Sequence, residues 1–402
     1  MVANDRTREL IRGELDRLVR LRREFHQHPE IAYEERWTAQ RIRTELERLG
    51  IKHVDDLAGG TGTLAHIPGR SARAVGLRAD IDALPMDDAG THAWASRTPG
   101  RAHACGHDGH TTVLLGAAAV LKRLAGEDTL PNPVTMIFQP AEEGGNGGER
   151  MVAEGCLDGS RLGAPVTALF ALHGWPSLPV GKVASRPGPM LAAADAFKIR
   201  VHGVGGHAAW PHLARDPVLG AAAIVQALQA LVAREVDPQQ AAVVTVGSIH
   251  AGEAFNVIPA HAQMLGTIRT FSESVRQHLR TRLQACAEHT AAALGLRAEV
   301  AFLPSTPATV NHAGAFEHFE RVARSSLGAD AVTEFGPPVM GAEDFAFYGA
   351  HVPACFLALG LDHPQRPCPP LHDPAFDFND DAMETGVAVM VALAQSKADS
   401  IR

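Results

Sequence analysis

Apolar positions along the first half of the chain alternate between helical and strand-like spacing. A charged, amphipathic stretch predicts a helix over about Thr7 to His26, and the HQHPE segment ends it because Pro29 disfavours helix in the residue before it. A second helix is expected from about Glu34 to Leu49, closed by Gly50. Short β-rich stretches follow at TGTLAHIPG and AVGLRADIDALPM. The second runs apolar into a polar end, as a buried strand does when it delivers residues to a site at its carboxyl end. HDGHTTVLLGAAAVLKRL reads as a helix that starts just after a Cys-Gly-His turn. Next come the strand VTMIFQP, the Gly-rich loop AEEGGNGGER, a helix around Met151 to Gly155 and the strand VTALFALHGW. This alternation predicts the α/β class, with a mostly parallel sheet covered by helices on both faces.

From about Pro189 the pattern changes. The order is strand (AAADAFKIRVHG), helix (about Pro217 to Glu235), strand (AAVVTVGSIHAG), strand (HAQMLGTIRTF), helix (about Ser272 to Leu294) and strand (RAEVAFLP). That β-α-β-β-α-β succession is the split arrangement of a small ferredoxin-like α+β domain. After Pro307 helix and strand segments return, ending in a helix from about Asp380 to Lys397. The expected organisation is one α/β domain made of residues 1–188 and 305–402, interrupted by a smaller inserted domain at 189–304. No internal repeat or low-complexity segment is evident.

Composition narrows the function. A chain of 402 residues exceeds what one core usually organises, which agrees with two domains. No apolar run approaches the roughly 20 residues of a membrane span, and the first twenty residues lack a secretory apolar region, so a soluble cytoplasmic protein is expected. Five scattered cysteines argue against a disulfide framework. A net charge of -8 without a dense Lys/Arg stripe disfavours nucleic acid and anionic membranes, which leaves a small molecule as the expected partner.

The candidate chemistry lies at predicted strand ends. HACGHDGH packs Cys105, His107, Asp108 and His110 into one turn, and thiolate, imidazole and carboxylate bind borderline transition ions. Alone, such a turn equally suits a buried cysteine and a helix-capping histidine. Glu142 and Glu143 follow the strand VTMIFQP, and His173 follows VTALFAL. Adjacent carboxylates repel unless cations or protons compensate them, so a nearby metal explains the pair, although an isolated Glu-Glu pair is more often a solvated loop. Nearby glycines permit close backbone approach to a ligand. A distant histidine in PPLHDPAFDFND, His372, completes the set.

Taken in order, LRADIDALPM, HACGHDGHTT, QPAEEGGNGGERM, ALHGWP, GGHAAWPH, GAEDFAFY and LHDPAFDFND resemble the hippurate hydrolase and auxin-conjugate amidohydrolase family, the aminoacylase branch of the dimetal exopeptidases. The match spans roughly Leu18 to Leu393. The resemblance implies a phosphorylase/hydrolase-like mixed sheet with an inserted ferredoxin-like lid. It also implies two divalent ions (zinc, manganese, nickel or cobalt) held by Cys105, His107, Glu143, His173 and His372. Glu142 matches the general base and acid, and a carboxylate committed to a metal cannot easily shuttle a proton, which suits the division between the two glutamates. Asp80 stands where related peptidases carry a metal-binding histidine, and Asp82 is then a candidate for orienting the ligands from behind. In the inserted domain the resemblance gives His207, with His212 as a nearby competitor, the task of polarising the scissile carbonyl. Asn256 and Arg269 would hold the free carboxylate of the amino-acid half.

The implied activity is hydrolysis of N-acyl amino acids by a homo-oligomer assembled through the lid domain. Three rivals remain open at this point: an N-acetyl-diaminopimelate-type deacetylase, a non-catalytic metal-binding relative, and a cysteine hydrolase using Cys105.

Overall fold

Apolar runs rich in Ala, Val, Leu and Phe make the centre of the larger sheet. The computed structural model describes residues 5–397 and residue 401. The chain divides into two compact units. The first contains the residues up to Met190, Val310–Pro337 and those from Asp344 onward; the second contains Leu191–Thr309 and Pro338–Glu343. The short segment Pro338–Glu343, which sequence pattern groups with the first unit, joins the second because Ala192 N donates to the carbonyls of Val339 and Gly341.

The first unit holds an eight-stranded sheet. Its order is Lys52–Leu57, Gly62–Ile67, Val134–Gln139, Ala74–Asp80, Val166–Pro179, Ala354–Asp362, Val183–Ser185 and Val332–Glu334. The strands from Val134–Gln139 to Ala354–Asp362 are parallel. Every residue of Ala74–Asp80 and Val134–Gln139 is buried, as parallel strands covered on both faces require. The expectation of a mostly parallel sheet holds only for this centre. Lys52–Leu57 and Gly62–Ile67 form an antiparallel hairpin at one edge, and Val183–Ser185 pairs antiparallel with Ala354–Asp362 towards the other. The short Ala58–Thr61 connection leaves no room for the crossover that a parallel pair needs. The sheet is therefore mixed. Helix His107–Glu127, buried without interruption from His107 to Leu121, packs on this sheet beside helix Met383–Gln395, and helix Asp5–Gln27 packs against both.

The second unit is ferredoxin-like. Its antiparallel sheet runs Ala242–Ala251, His261–Thr270, Ala193–His202, Arg297–Phe302, the order in which the β-α-β-β-α-β succession interleaves. Burial along Ala193–His202 alternates strictly, so Phe197, Ile199 and Val201 face one core with Ile224 and Leu228 of helix Pro217–Glu235 and Leu279 and Leu283 of helix Glu273–Ala293. Asp216 caps the first of these helices by accepting from Val218 N at 2.8 Å, with Pro217 pre-shaped for its first turn. By length and composition this helix also qualifies as a membrane span, which corrects the sequence reading that no apolar run comes close. Its buried residues Gly220, Ala221, Ile224, Leu228 and Leu231 nonetheless belong to one amphipathic face.

Candidate metal centre

Open α/β sheets bind ligands beyond the carboxyl ends of their parallel strands, and the polar residues gather there. Ala74–Asp80 ends at Asp80 and leads to Asp82; Val134–Gln139 leads through Ala141 to Glu142 and Glu143. His173 lies just past Ala171, the last residue of its strand to pair with Ala74–Asp80. The strand does not stop there, as the apolar run VTALFAL suggests. It continues to Pro179 because Ala354–Asp362 still pairs with Trp175 and Pro179.

Local backbone geometry aims these side chains. Gly106 precedes helix His107–Glu127 at φ +86, and a Cβ there would sit 3.3 Å from the Phe378 ring. Ala141 (φ 57) and His372 (φ 64) occupy the left-handed region without being glycine. Such conformations cost roughly 1–3 kcal/mol and persist where the surroundings fix them. Ala141 N donates to Glu35 Oε1 at 2.9 Å, and His372 N donates to Ala104 O at 2.8 Å, beside Cys105.

The potential ligand atoms of Cys105, His107 and His173 lie within 4.8 Å of one another, as do those of Cys105, Glu143 and His372, and those of His107, Glu142 and Glu143. All the first-unit residues named from sequence as metal ligands or base thus share one cluster. Asp82 stands behind it. His107 Nδ1 donates to Asp82 Oδ1 at 3.2 Å, and Glu143 N donates to Asp82 Oδ2 at 2.9 Å. His173 Nδ1 donates to Gly174 O at 2.8 Å, which turns the Nε2 lone pair to Cys105, whose Sγ donates to it at 3.4 Å. His107 Nε2 and Glu143 Oε1 are buried without a hydrogen-bond partner; His372 Nε2 approaches Glu143 Oε1 to 3.2 Å but out of hydrogen-bond alignment. Ring nitrogens, a thiol and carboxylate oxygens gathered around one point, some of them without a hydrogen bond, are what a cation site needs once the ion displaces their protons.

His110 differs from its neighbours. Its Nδ1 donates to Asp80 Oδ1 at 2.6 Å and its Nε2 accepts from Gly174 N at 2.7 Å, so both ring nitrogens are committed. Asp80 also accepts from Arg78 at 2.7 Å, making Asp80 and His110 a brace under the site. Sequence reasoning missed Glu35 and Asp344. Asp344 accepts from Gly148 N at 2.8 Å and from Gln139 at 2.7 Å, while its own N–H donates to Glu142 Oε1 at 3.3 Å. Its signal was present in GAEDFAFY, whereas Glu35 lay in a segment read only as the start of a helix.

Electrostatics separates two chemistries. Burial, followed by Glu143, Glu142 and Asp80, holds the Cys105 thiol well above its usual pKa, so the thiol keeps its proton unless a cation offsets those carboxylates. A nucleophilic cysteine needs the opposite surroundings, which counts against a cysteine hydrolase. Burial opposes charge on His107, but Asp80, Asp82 and Glu143 outweigh it and raise its pKa to about 10. That imidazolium proton occupies the position that a divalent ion would take. Burial keeps His173 neutral, with its lone pair available. The donor set and its orphaned atoms therefore fit divalent metal.

In the second unit the structure brings His207 and Asn256 together. Gly206–His207 pairs with Val257–Ile258, and Ala208 N donates to Asn256 O at 3.1 Å. The exposed His207 ring accepts from Ala209 N at 3.0 Å and packs against Trp210 with centroids 4.8 Å apart. His212 is exposed on the short turn Pro211–Leu213. Arg269 sits mid-sheet opposite Val243 and Ala194, half-buried and without an ion pair among the described residues. Burial pushes its pKa down, opposed only by Asp195.

Residues 76–396 match the family described as peptidase family M20/M25/M40. The chain belongs to this family. It is 39% identical to IAA-amino acid hydrolase ILR1-like 4 of Arabidopsis thaliana over 94% of this chain and 85% of that one. It is 36% identical to N-acetylcysteine deacetylase of Bacillus subtilis, over 96% and 98% of the two chains. Among solved structures, the Bacillus subtilis YXEP protein, described as a dinuclear metal binding peptidase of the M20 family, superposes with a TM-score of 0.79 at 32% identity, covering 95% of this chain and 98% of that one. The mixed sheet with its inserted α+β unit is the M20-family fold, and this M20-family chain is a hydrolase of amide bonds.

Proposed function

We propose that the chain hydrolyses N-acyl amino acids at a two-ion centre held by Cys105, His107, Glu143, His173 and His372, releasing a carboxylic acid and a free amino acid. The observation that carries this reading is the convergence of those donor atoms, with neither His107 Nε2 nor Glu143 Oε1 making a hydrogen bond in the interior. Bound divalent ions, drawn from zinc, manganese, nickel or cobalt, would make water more acidic and polarise a carbonyl. Glu142, steadied by Asp344 N, takes the proton of the attacking water and passes it to the leaving amine. Asp82 fixes the ring of His107 and the backbone of Glu143. His207 donates to the carbonyl oxygen as negative charge develops on it, and Asn256 and Arg269 grip the substrate carboxylate, the latter with its planar fork. Cytoplasmic localisation and homo-oligomerisation through the second unit belong to the same proposal, the latter supported by exposed Trp210, Leu213 and Phe255.

The test is a panel of N-acetyl, N-benzoyl and longer N-acyl amino acids, assayed with and without chelator. We expect hydrolysis of one class at least, abolished by chelation and restored by divalent ions. Metal-loaded protein that cleaves none of them would overturn the proposal.

A further inference from the structure

A second group of imidazoles lies within the first unit, outside the centre described above. Helix Asp5–Gln27 carries His26 in its last turn, the segment after Met86 carries Asp88 and His92, and the chain leading away from His372 carries Asp377. His26 and His92 have ring centroids 5.3 Å apart, and His103 lies 6.4 Å from His26. His26 Nε2 and both ring nitrogens of His92 and of His103 are buried without a hydrogen-bond partner. His26 and His103 are each 1% exposed. Buried polar groups in native proteins are normally satisfied, so a cluster of orphaned imidazole nitrogens calls for an occupant.

We propose that His26, His92 and Asp377, with Asp88 as fourth donor, form a separate site for one divalent transition ion of the zinc class. Ligand atoms of His26, His92 and Asp377 lie within 4.8 Å of one another. Asp88 Oδ2 is 3.5 Å from His26 Nε2, and Asp377 Oδ2 is 3.9 Å from His92 Nε2. His26 Nδ1 donates to Asp108 Oδ2 at 2.8 Å, which directs the Nε2 lone pair into the cluster, as a carboxylate behind a metal-binding histidine does. Asp377 is held in place by Arg22 at 2.5 Å and by Trp94 Nε1 at 3.2 Å. Two imidazoles and two carboxylates then present acceptors only, a shell that fits a cation better than water. A cavity of about 260 Å³ opens on the other side of Asp377, lined also by Trp94 and Arg366. The ion would tie the segment that follows His372 to helix Asp5–Gln27. The rival occupant is a proton on His26, shared between Asp108 and Asp88 in a network that also contains Arg22.

The experiment counts metal. Full-length protein is stripped, reloaded with zinc, passed through gel filtration and analysed by mass spectrometry alongside the variants His92→Ala and Asp377→Asn. Each folded variant should hold one ion per chain fewer than the parent, while Cys105→Ala, which acts on the other centre, should keep the ion that depends on His92. Equal counts in parent and folded variants overturn the site. Anomalous diffraction from zinc-loaded crystals of the parent needs no variant: a peak bounded by His26, His92 and Asp377 supports the site, and its absence assigns the position to the proton.

Discussion

The two units hold their chemistry in opposite states. In the first, four of the six candidate residues are fixed from behind: Asp82 holds His107 and Glu143, Gly174 holds His173, and Asp344 steadies Glu142, while the exposed His372 is anchored through its backbone N–H to Ala104. In the second, His207 and Asn256 are exposed, and Arg269 carries a half-buried charge with no ion pair among the described residues. The difference matches what each group must do. A metal cage needs donors held before the ion arrives, because geometry and desolvation set its affinity. Groups that recognise a substrate must keep their hydrogen bonds available until the substrate supplies the partner.

The sharpest way to break this contrast is Glu142→Ala. Turnover should fall roughly 10²- to 10⁴-fold, the contribution of a general base, while ion content measured by mass spectrometry stays that of the parent. Turnover within about tenfold of the parent would remove Glu142 from the role. Next in size is His207→Ala, for which loss of a donor to a developing oxyanion predicts a fall of roughly 10²- to 10³-fold. Since the side chain is exposed, the melting temperature should not move. A variant that melts earlier and keeps its turnover would make His207 structural and erase the distinction between the units.

Sequence conveyed the candidate ligands better than the residues behind them, for a physical reason. Cys105, His107, Glu142, Glu143, His173 and His372 carry chemistry-specific side chains in short motifs, Glu142, Glu143 and His173 at the ends of apolar segments, and the order of those motifs along the chain is distinctive. Asp344 and Glu35 act through backbone N–H groups of residues distant in sequence, Gly148 and Ala141, and no periodicity records such contacts. His110 shows the converse, since its residue type suits metal but its two committed nitrogens do not. The fold followed the same rule. Strands buried on both faces, such as Val134–Gln139, stood out as apolar runs, whereas the exposed, charged edge strand Lys52–Leu57 carried no such signal.

A smaller effect tests the support itself. Asp82→Asn keeps the size and hydrogen-bonding reach of the side chain but removes the charge that holds His107 Nδ1–H. Metal affinity should weaken by about 10- to 100-fold, as when a residue behind a ligand is lost, with a competing chelator as the readout. Saturating metal should then restore most of the turnover. An unchanged affinity would show that the first unit does not owe its readiness to Asp82.

The smallest expected effect asks what this rigidity does to stability. Glu35 is fully buried; Oε1 accepts from Ala141 N, and Oε2 has no partner. Burial, reinforced by Asp82, raises its pKa from 4.5 to about 8. Between those values the folded protein keeps a proton that the unfolded chain has released, so stability falls as pH rises through that window, by at most about 1.4 kcal/mol per pH unit. Glu35→Gln retains an acceptor for Ala141 and abolishes the proton linkage. Denaturant titrations of metal-free protein should therefore show the variant gaining about 1–3 kcal/mol on the parent at pH 8, and little at pH 4, where the parent's carboxyl is protonated in both states. Parallel stability profiles for the two proteins would mean that Glu35 is ionised in the folded state, and the Ala141 turn that presents Glu142 would then be held by a carboxylate.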